Sequence, residues 1–113
     1  MTPEGQVKKD IKDVLKALKM FFWMPPMTIY GKTGVSDFIV LYRGRALFIE
    51  AKAKVSSEWT PNQQRFSREV QNHGCPYWLI HAGSVIQLPM LLRDYMTEID
   101  LCYSDSSRPA EKS

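Results

Sequence analysis

The sequence predicts a single α/β domain built on a mixed, α+β-like sheet, in the order helix, three strands, helix, strand. Three observations carry this. An apolar stripe at helical spacing runs from Val7 to Leu18, and a glycine splits the alternating span 37–53 as a hairpin does. A second helix, bracketed by Thr60-Pro61 and Gly74, then precedes the apolar run Tyr77–His81. A strand–helix–strand crossover beside a hairpin gives both parallel and antiparallel neighbours, and so a mixed sheet with helices packed on it. The chain has 113 residues, enough for one core and not for two. One domain is therefore expected over residues 1–103, with the polar, Ser-rich tail 104–113 disordered.

The first helix starts at Thr2-Pro3-Glu4, with Thr2 as cap and Pro3 at the first helical position. Val7, Ile11, Val14, Leu15 and Leu18 form its buried stripe, and Lys8, Lys9, Lys12, Lys16 and Lys19 lie largely around the rest. At about 100° per residue, Glu4 projects nearly in line with Ile11 and Leu15, toward the protein body. An acid in the first turn also complements the helix dipole, so this geometry leaves both roles open. Phe21–Met24 stays apolar until Pro25-Pro26, which should end the helix or its trailing turn. Met27–Tyr30 is expected as the first strand. Gly31-Lys32-Thr33-Gly34 is a loop whose glycines are too close together for a phosphate-cradling Walker A motif.

The hairpin follows, with strands at Asp37–Tyr42 and Ala46–Ala53 and a turn at Arg43-Gly44 or Gly44-Arg45. Strand alternation puts Phe48, Glu50 and Lys52 on one face, and Leu47, Ile49 and Ala51 on the other. An Arg43-Gly44 turn sets Asp37 opposite Glu50; Gly44-Arg45 sets it opposite Lys52. Either way Asp37 shares their face, a parity that only a three-residue loop would break. Val55–Trp59 reads as a loop. Thr60 and Gln63 fit a capping box, with Phe66 and Val70 turned inward and Arg65 and Arg68 offering positive charge. Gly74 ends that helix ahead of Pro76, and Tyr77–His81 is a strand. Val85–Leu88 suggests a short edge strand, and a last helix runs from Pro89 to about Met96.

The net charge of +3 permits nucleic acid as a partner without requiring it. Cys75 and Cys102 have no paired spacing, which argues against a zinc site or a disulfide scaffold and for reduced thiols in a cytoplasmic setting. Met20–Met24 is too short to span a bilayer and lacks the flanks of a signal peptide. His73 and His81 are expected to be structural or exposed, with no second histidine at ligand spacing.

Two carboxylates side by side on a strand pair repel each other, and their neighbours here are mostly apolar. A hard divalent cation bridging their oxygens offsets that repulsion, so Asp37 and Glu50 suggest a metal site with Lys52 beside it. The alternative is that Asp37 shapes the strand entry and Lys52 simply pairs with Glu50.

Asp37 followed by Glu50-Ala51-Lys52 at the end of a hydrophobic strand resembles the PD-(D/E)xK nuclease signature, and the element order matches that superfamily's restriction-endonuclease-like α-β-β-β-α-β core. Glu4, Gly34-Val35-Ser36-Asp37, Leu47-Phe48-Ile49-Glu50-Ala51-Lys52 and Thr60-Pro61-Asn62-Gln63 together resemble the virus-type replication-repair nuclease branch, VRR-NUC, over about residues 3 to 86. Ser36 stands where that family usually has Pro, at a position that shapes the turn and does no chemistry. The resemblance implies a Mg²⁺- or Mn²⁺-dependent DNA endonuclease of replication, repair or recombination. Small members of the family resemble viral Holliday-junction resolvases and act as homodimers, which points to branched DNA, a phage source and the host cytoplasm.

Asp37 and Glu50 would be the central ligands, with the Ala51 carbonyl as a third oxygen and Glu4 completing the site. Lys52 would orient or activate water, or stabilise developing charge. Gln63 would reach the site through its amide, or serve only as a cap. Tyr30, Lys32 and Lys54 flank the cleft and, with Arg65 and Arg68, are candidates for holding DNA backbone. The exposed apolar residues Phe21, Phe22, Trp23 and Met24 are the candidate dimer surface, unless they belong to the core. A non-catalytic nucleic-acid-binding module is the competing reading, disfavoured because two adjacent acids would face a polyanion. A membrane- or partner-binding role for the basic first helix is weaker still, since Glu4, Asp10 and Asp13 dilute its charge.

Overall fold

The computed structural model describes residues 1–26 and 35–104. Helix α1 (Pro3–Ala17) is followed by strands β1 (Phe21–Trp23), β2 (Phe38–Tyr42) and β3 (Arg45–Lys52). Helix α2 (Pro61–Asn72), strand β4 (Tyr77–His81), a 3₁₀ turn at Val85–Gln87 and helix α3 (Leu88–Ser104) complete the described residues. The four strands form one mixed sheet in the order β1-β2-β3-β4. The pairs β1–β2 and β2–β3 are antiparallel, and β3–β4 is parallel through the α2 crossover.

Three sequence expectations are corrected. Phe21–Trp23 is a strand and not a continuation of the first helix, because α1 ends in a Schellman motif without glycine. Leu18 is the C-cap, the Lys19 N–H donates to the Lys16 carbonyl, and the Met20 N–H donates to the Leu15 carbonyl, both at 3.0 Å. Lys19 takes the left-handed conformation at φ 56°, and Met20 and Leu15 are both buried, as the motif's hydrophobic contact requires. The expected edge strand at Val85–Leu88 is a 3₁₀ turn leading into a helix. That helix extends well past Met96, because Leu88, Leu92 and Ile99 repeat at helical spacing and are all buried. The strand expected at Met27–Tyr30, the Gly31–Gly34 loop and the tail beyond Ser104 lie outside the described residues.

The hairpin turn is Arg43-Gly44, with φ of 49° and 81°. A two-residue loop with both φ positive matches the strand twist and fixes the register at Tyr42↔Arg45 through Phe38↔Ile49. One step further, Asp37 stands opposite Glu50. The far end of α3 fastens to this turn. The Tyr42 hydroxyl donates to Asp100 at 2.7 Å, and the Arg43 guanidinium meets Asp100 at 3.0 Å and stacks over Tyr103.

The register sorts the sheet into two faces. Phe38, Val40, Leu47, Ile49, Ala51 and Ile80 are buried against Val7, Ile11 and Leu15 of α1 and Leu88 and Leu92 of α3. The opposite face carries Phe48, Glu50 and Lys52 of β3 with their partners Tyr77, Leu79 and His81 of β4. Phe66 of α2 packs edge-on against Phe48 and Tyr77, so α2 covers part of this second face. On the β1 side Phe21, Trp23 and Leu41 remain largely exposed. Phe22 turns to the core and packs against Phe38.

Candidate active site

The acids meet where the β2–β3 ladder runs out. β2 begins at Phe38, so the Ala51 N–H of β3 has no backbone partner there and donates instead to Asp37 Oδ2 at 2.8 Å. N–H and C=O of one extended residue point to the same edge, so the Ala51 carbonyl also lies on the Asp37 side. Ser36, just before, is buried and donates from Oγ to the Phe38 carbonyl at 3.0 Å, which sets the local turn.

Glu50 is only 3 % exposed. Its Oε2 accepts from Gln63 Nε2 at 2.8 Å, and its Oε1 is buried with no hydrogen-bond partner among the described residues. Burial, followed by the neighbouring Asp37 charge, pushes its carboxyl up to about 8; Lys52 opposes the rise and Glu4 adds to it. Glu4, half-buried at the start of α1, is thus close enough to act on Glu50 by its charge. Lys52 is buried too. Its ammonium donates to the Glu58 carbonyl and to Gln63 Oε1, each at 2.8 Å, and stands 3.9 Å from Glu50 Oε2.

Gln63 serves both roles considered for it. Its backbone N–H donates to Thr60 Oγ1 at 3.1 Å and its Oε1 accepts the Thr60 N–H at 3.0 Å, completing a capping box. The same Oε1 takes Lys52, and the amide nitrogen takes Glu50. Two donors at the oxygen and an acceptor at the nitrogen fix which way the amide faces.

The sequence reading missed several neighbours. Lys8 Nζ lies 3.3 Å from Asp37 Oδ1. Lys8 is four residues after Glu4 and therefore on its face of α1, a spacing that could have revealed it. The Tyr77 hydroxyl is buried near the acids. Desolvation and the charges of Glu50 and Asp37 raise it above the ordinary phenol range, and neither it nor the buried Trp59 indole N–H has a hydrogen-bond partner among the described residues. Only the β3–β4 register brings Tyr77 here, so no sequence spacing signalled it.

The structure thus brings Glu4, Asp37, Glu50, Ala51, Lys52 and Gln63 to one end of the sheet. The acids are not gathered tightly: among the described residues no three His, Cys, Asp or Glu side chains form a ready-made metal cage. The candidate backbone-binding residues fare differently. Lys54 is exposed near Lys52, while Arg65 is tied to Asn62 at 2.8 Å on the exposed side of α2, where Arg68 also lies. Tyr30 and Lys32 lie outside the described residues. His73 is the exposed C-cap of α2.

No protein-family model and no curated protein matches the chain. A solved structure described as a VRR_NUC domain does, with a TM-score of 0.69 and 27% identity over 84% of this chain and 99% of that one. The match supports membership of the VRR-NUC family. A VRR-NUC domain of mixed α and β structure, with a four-stranded sheet, accounts for the element order found here. It also supports a nuclease domain in general terms. Among the described residues no helix is long and apolar enough to cross a membrane.

Proposed function

We propose that this chain is a divalent-metal-dependent DNA endonuclease that hydrolyses phosphodiester bonds at branched DNA, such as Holliday junctions or flaps, during phage replication, repair or recombination. One observation carries the reading: Glu50 Oε1 is buried without a partner beside a second carboxylate. A buried acceptor left unsatisfied is destabilising by about 1–3 kcal/mol, and a cation would supply what it lacks. Oxygen donors from Asp37, Glu50, the Ala51 carbonyl and Glu4 suit Mg²⁺ or Mn²⁺. Bound there, the ion would lower the pKa of a water and polarise the phosphate.

The chain's own residues supply the rest. Asp37 is held at the ladder end by the Ala51 N–H, so its carboxylate cannot swing away. Gln63 fixes the Glu50 carboxylate and leaves Oε1 free for a ligand. Lys52 donates hydrogen bonds to two neutral oxygens beside Glu50, an arrangement suited to orienting water and stabilising negative charge on the phosphate. The exposed Phe21 and Trp23 on edge strand β1 support the proposal that the enzyme works as a homodimer.

The test is cleavage of a panel of junctions, flaps, single strands and duplexes with Mg²⁺, Mn²⁺ or EDTA. Metal-dependent cutting that Glu50→Ala and Lys52→Ala abolish in folded protein is expected. Uncut substrates throughout, with manganese present, would overturn the enzyme reading, and normal cutting by Glu50→Ala would overturn the residue assignment.

A further inference from the structure

A cavity of about 110 Å³ opens beside the acids at the β4 edge, lined by Lys52, Lys54, Val55, Trp59, Leu79 and His81 among others. The parallel register explains its place: Glu50 pairs with Leu79 and Lys52 with His81, so it begins where the acidic site ends. Its walls are apolar and partly open to water, with Val55 82% and Leu79 40% exposed. Trp59 supplies an aromatic wall and packs against Tyr77 at 6.4 Å between ring centroids. The rim is cationic or hydrogen-bond-donating. Lys54 is exposed, and His81 Nδ1 accepts the Gly83 N–H at 3.1 Å, which leaves Nε2 as the protonated nitrogen of the neutral ring.

A mostly apolar pocket with an aromatic wall, bordered by a lysine and an imidazole donor, matches one nucleotide: a ring to stack and a phosphate to hold. A cavity of about 150 Å³ holds benzene, so the space is on the scale of one planar ring and not of a base pair. We propose that this cavity takes an unpaired nucleobase of the strand being cut, next to the phosphate at the acids, with Lys54 and His81 on the adjoining phosphate. The proposal rests on the nuclease reading and gives it a substrate rule: the cut falls beside a nucleotide free to leave its stack, as at a flap or junction and not within intact duplex. Continuity with Lys52 is what ties the cavity to the reacting strand.

The test moves a single abasic nucleotide along a flap DNA across the cut, measuring affinity by anisotropy in EDTA and KM for cleavage. One flanking position should weaken both roughly tenfold, the scale of a single base–aromatic stack. Trp59→Ala and, on the exposed loop, Val55→Ser should weaken intact DNA similarly yet add nothing on the DNA abasic at that position, and Trp59→Phe should restore it. The proposal is overturned if no abasic position matters, or if the variants lose as much on abasic as on intact DNA. If the protein cuts nothing, the nuclease reading fails while the anisotropy arm still decides whether a base enters the cavity.

Discussion

Gln63 Nε2 donates to Glu50 Oε2 at 2.8 Å while Gln63 Oε1 accepts from Lys52 Nζ at 2.8 Å, so one amide spans the acid and the lysine of the site. The residue that begins α2 therefore also sets the spacing of the two groups proposed to act on the phosphate. The same Oε1 accepts the Thr60 backbone N–H, which ties the start of the helix to the geometry of the site without using the Thr60 side chain.

Thr60→Ala and Gln63→Ala separate the cap from the site. Losing the cap alone should cost about 1 kcal/mol and leave cleavage near normal. Gln63→Ala should be destabilising by about 1–3 kcal/mol, because it strips partners from the buried Glu50 and Lys52 as well, and should also lower kcat. Urea denaturation and steady-state kinetics on the same preparations check this; equal kcat losses for both variants would assign Gln63 to the cap alone.

Glu50 predicts how the metal-free protein responds to pH. Its carboxyl is raised to about 8 in the folded chain against an ordinary carboxylate value when unfolded. Between those values the folded state binds the extra proton, so the stability that Glu50 contributes is fully present below about pH 4.5, falls as pH rises, and is lost above about pH 8. Denaturation midpoints in EDTA should drop over that window, by an amount up to about 5 kcal/mol. Glu50→Gln should flatten this part of the profile, and added Mn²⁺ should raise stability most at the alkaline end.

Lys8 places a positive charge 3.3 Å from Asp37, where a cation is proposed to bind. Lys8→Met should raise Mn²⁺ affinity several-fold by calorimetry. Its effect on metal-free stability should stay within about 1 kcal/mol, since Lys8 is about a third exposed. Unchanged or weaker Mn²⁺ binding would mean the ion pair does not compete with the metal.

Lys19 occupies the left-handed position of the Schellman motif at φ 56°. Glycine adopts that conformation without the side-chain penalty, although it loses more freedom on folding. Lys19→Gly should therefore raise stability by about 0.5–1 kcal/mol, read as a higher melting temperature, with no change in DNA affinity.

Local chemistry made much of this protein legible in its sequence. Thr60-Pro61-Asn62-Gln63 marks the start of α2, and β4 is bounded as Tyr77–His81, because a capping box and a glycine stop act over a few residues. The parity of β3 likewise put Glu50 and Lys52 on one face. Where the signal was weak or distant, the reading failed. No glycine marks the end of α1, so Phe21–Trp23 looked helical until its pairing with β2 made it a strand. Val85–Leu88 has strand-forming residues, but burying Leu88, Leu92 and Ile99 favours a helix.

The β2–β3 hairpin illustrates the division. Its residue types determined that two acids and a lysine share one sheet face, because side chains alternate along any strand. The positive φ at both Arg43 and Gly44 decided that Asp37 meets Glu50 and not Lys52, since turn type sets register. The docking of α1 and α2 then decided that Lys8 neutralises Asp37, that Gln63 bridges Glu50 and Lys52, and that one Glu50 oxygen is left buried and unpaired. Contacts between groups far apart in the chain depend on how whole elements pack, and only the tertiary structure sets that.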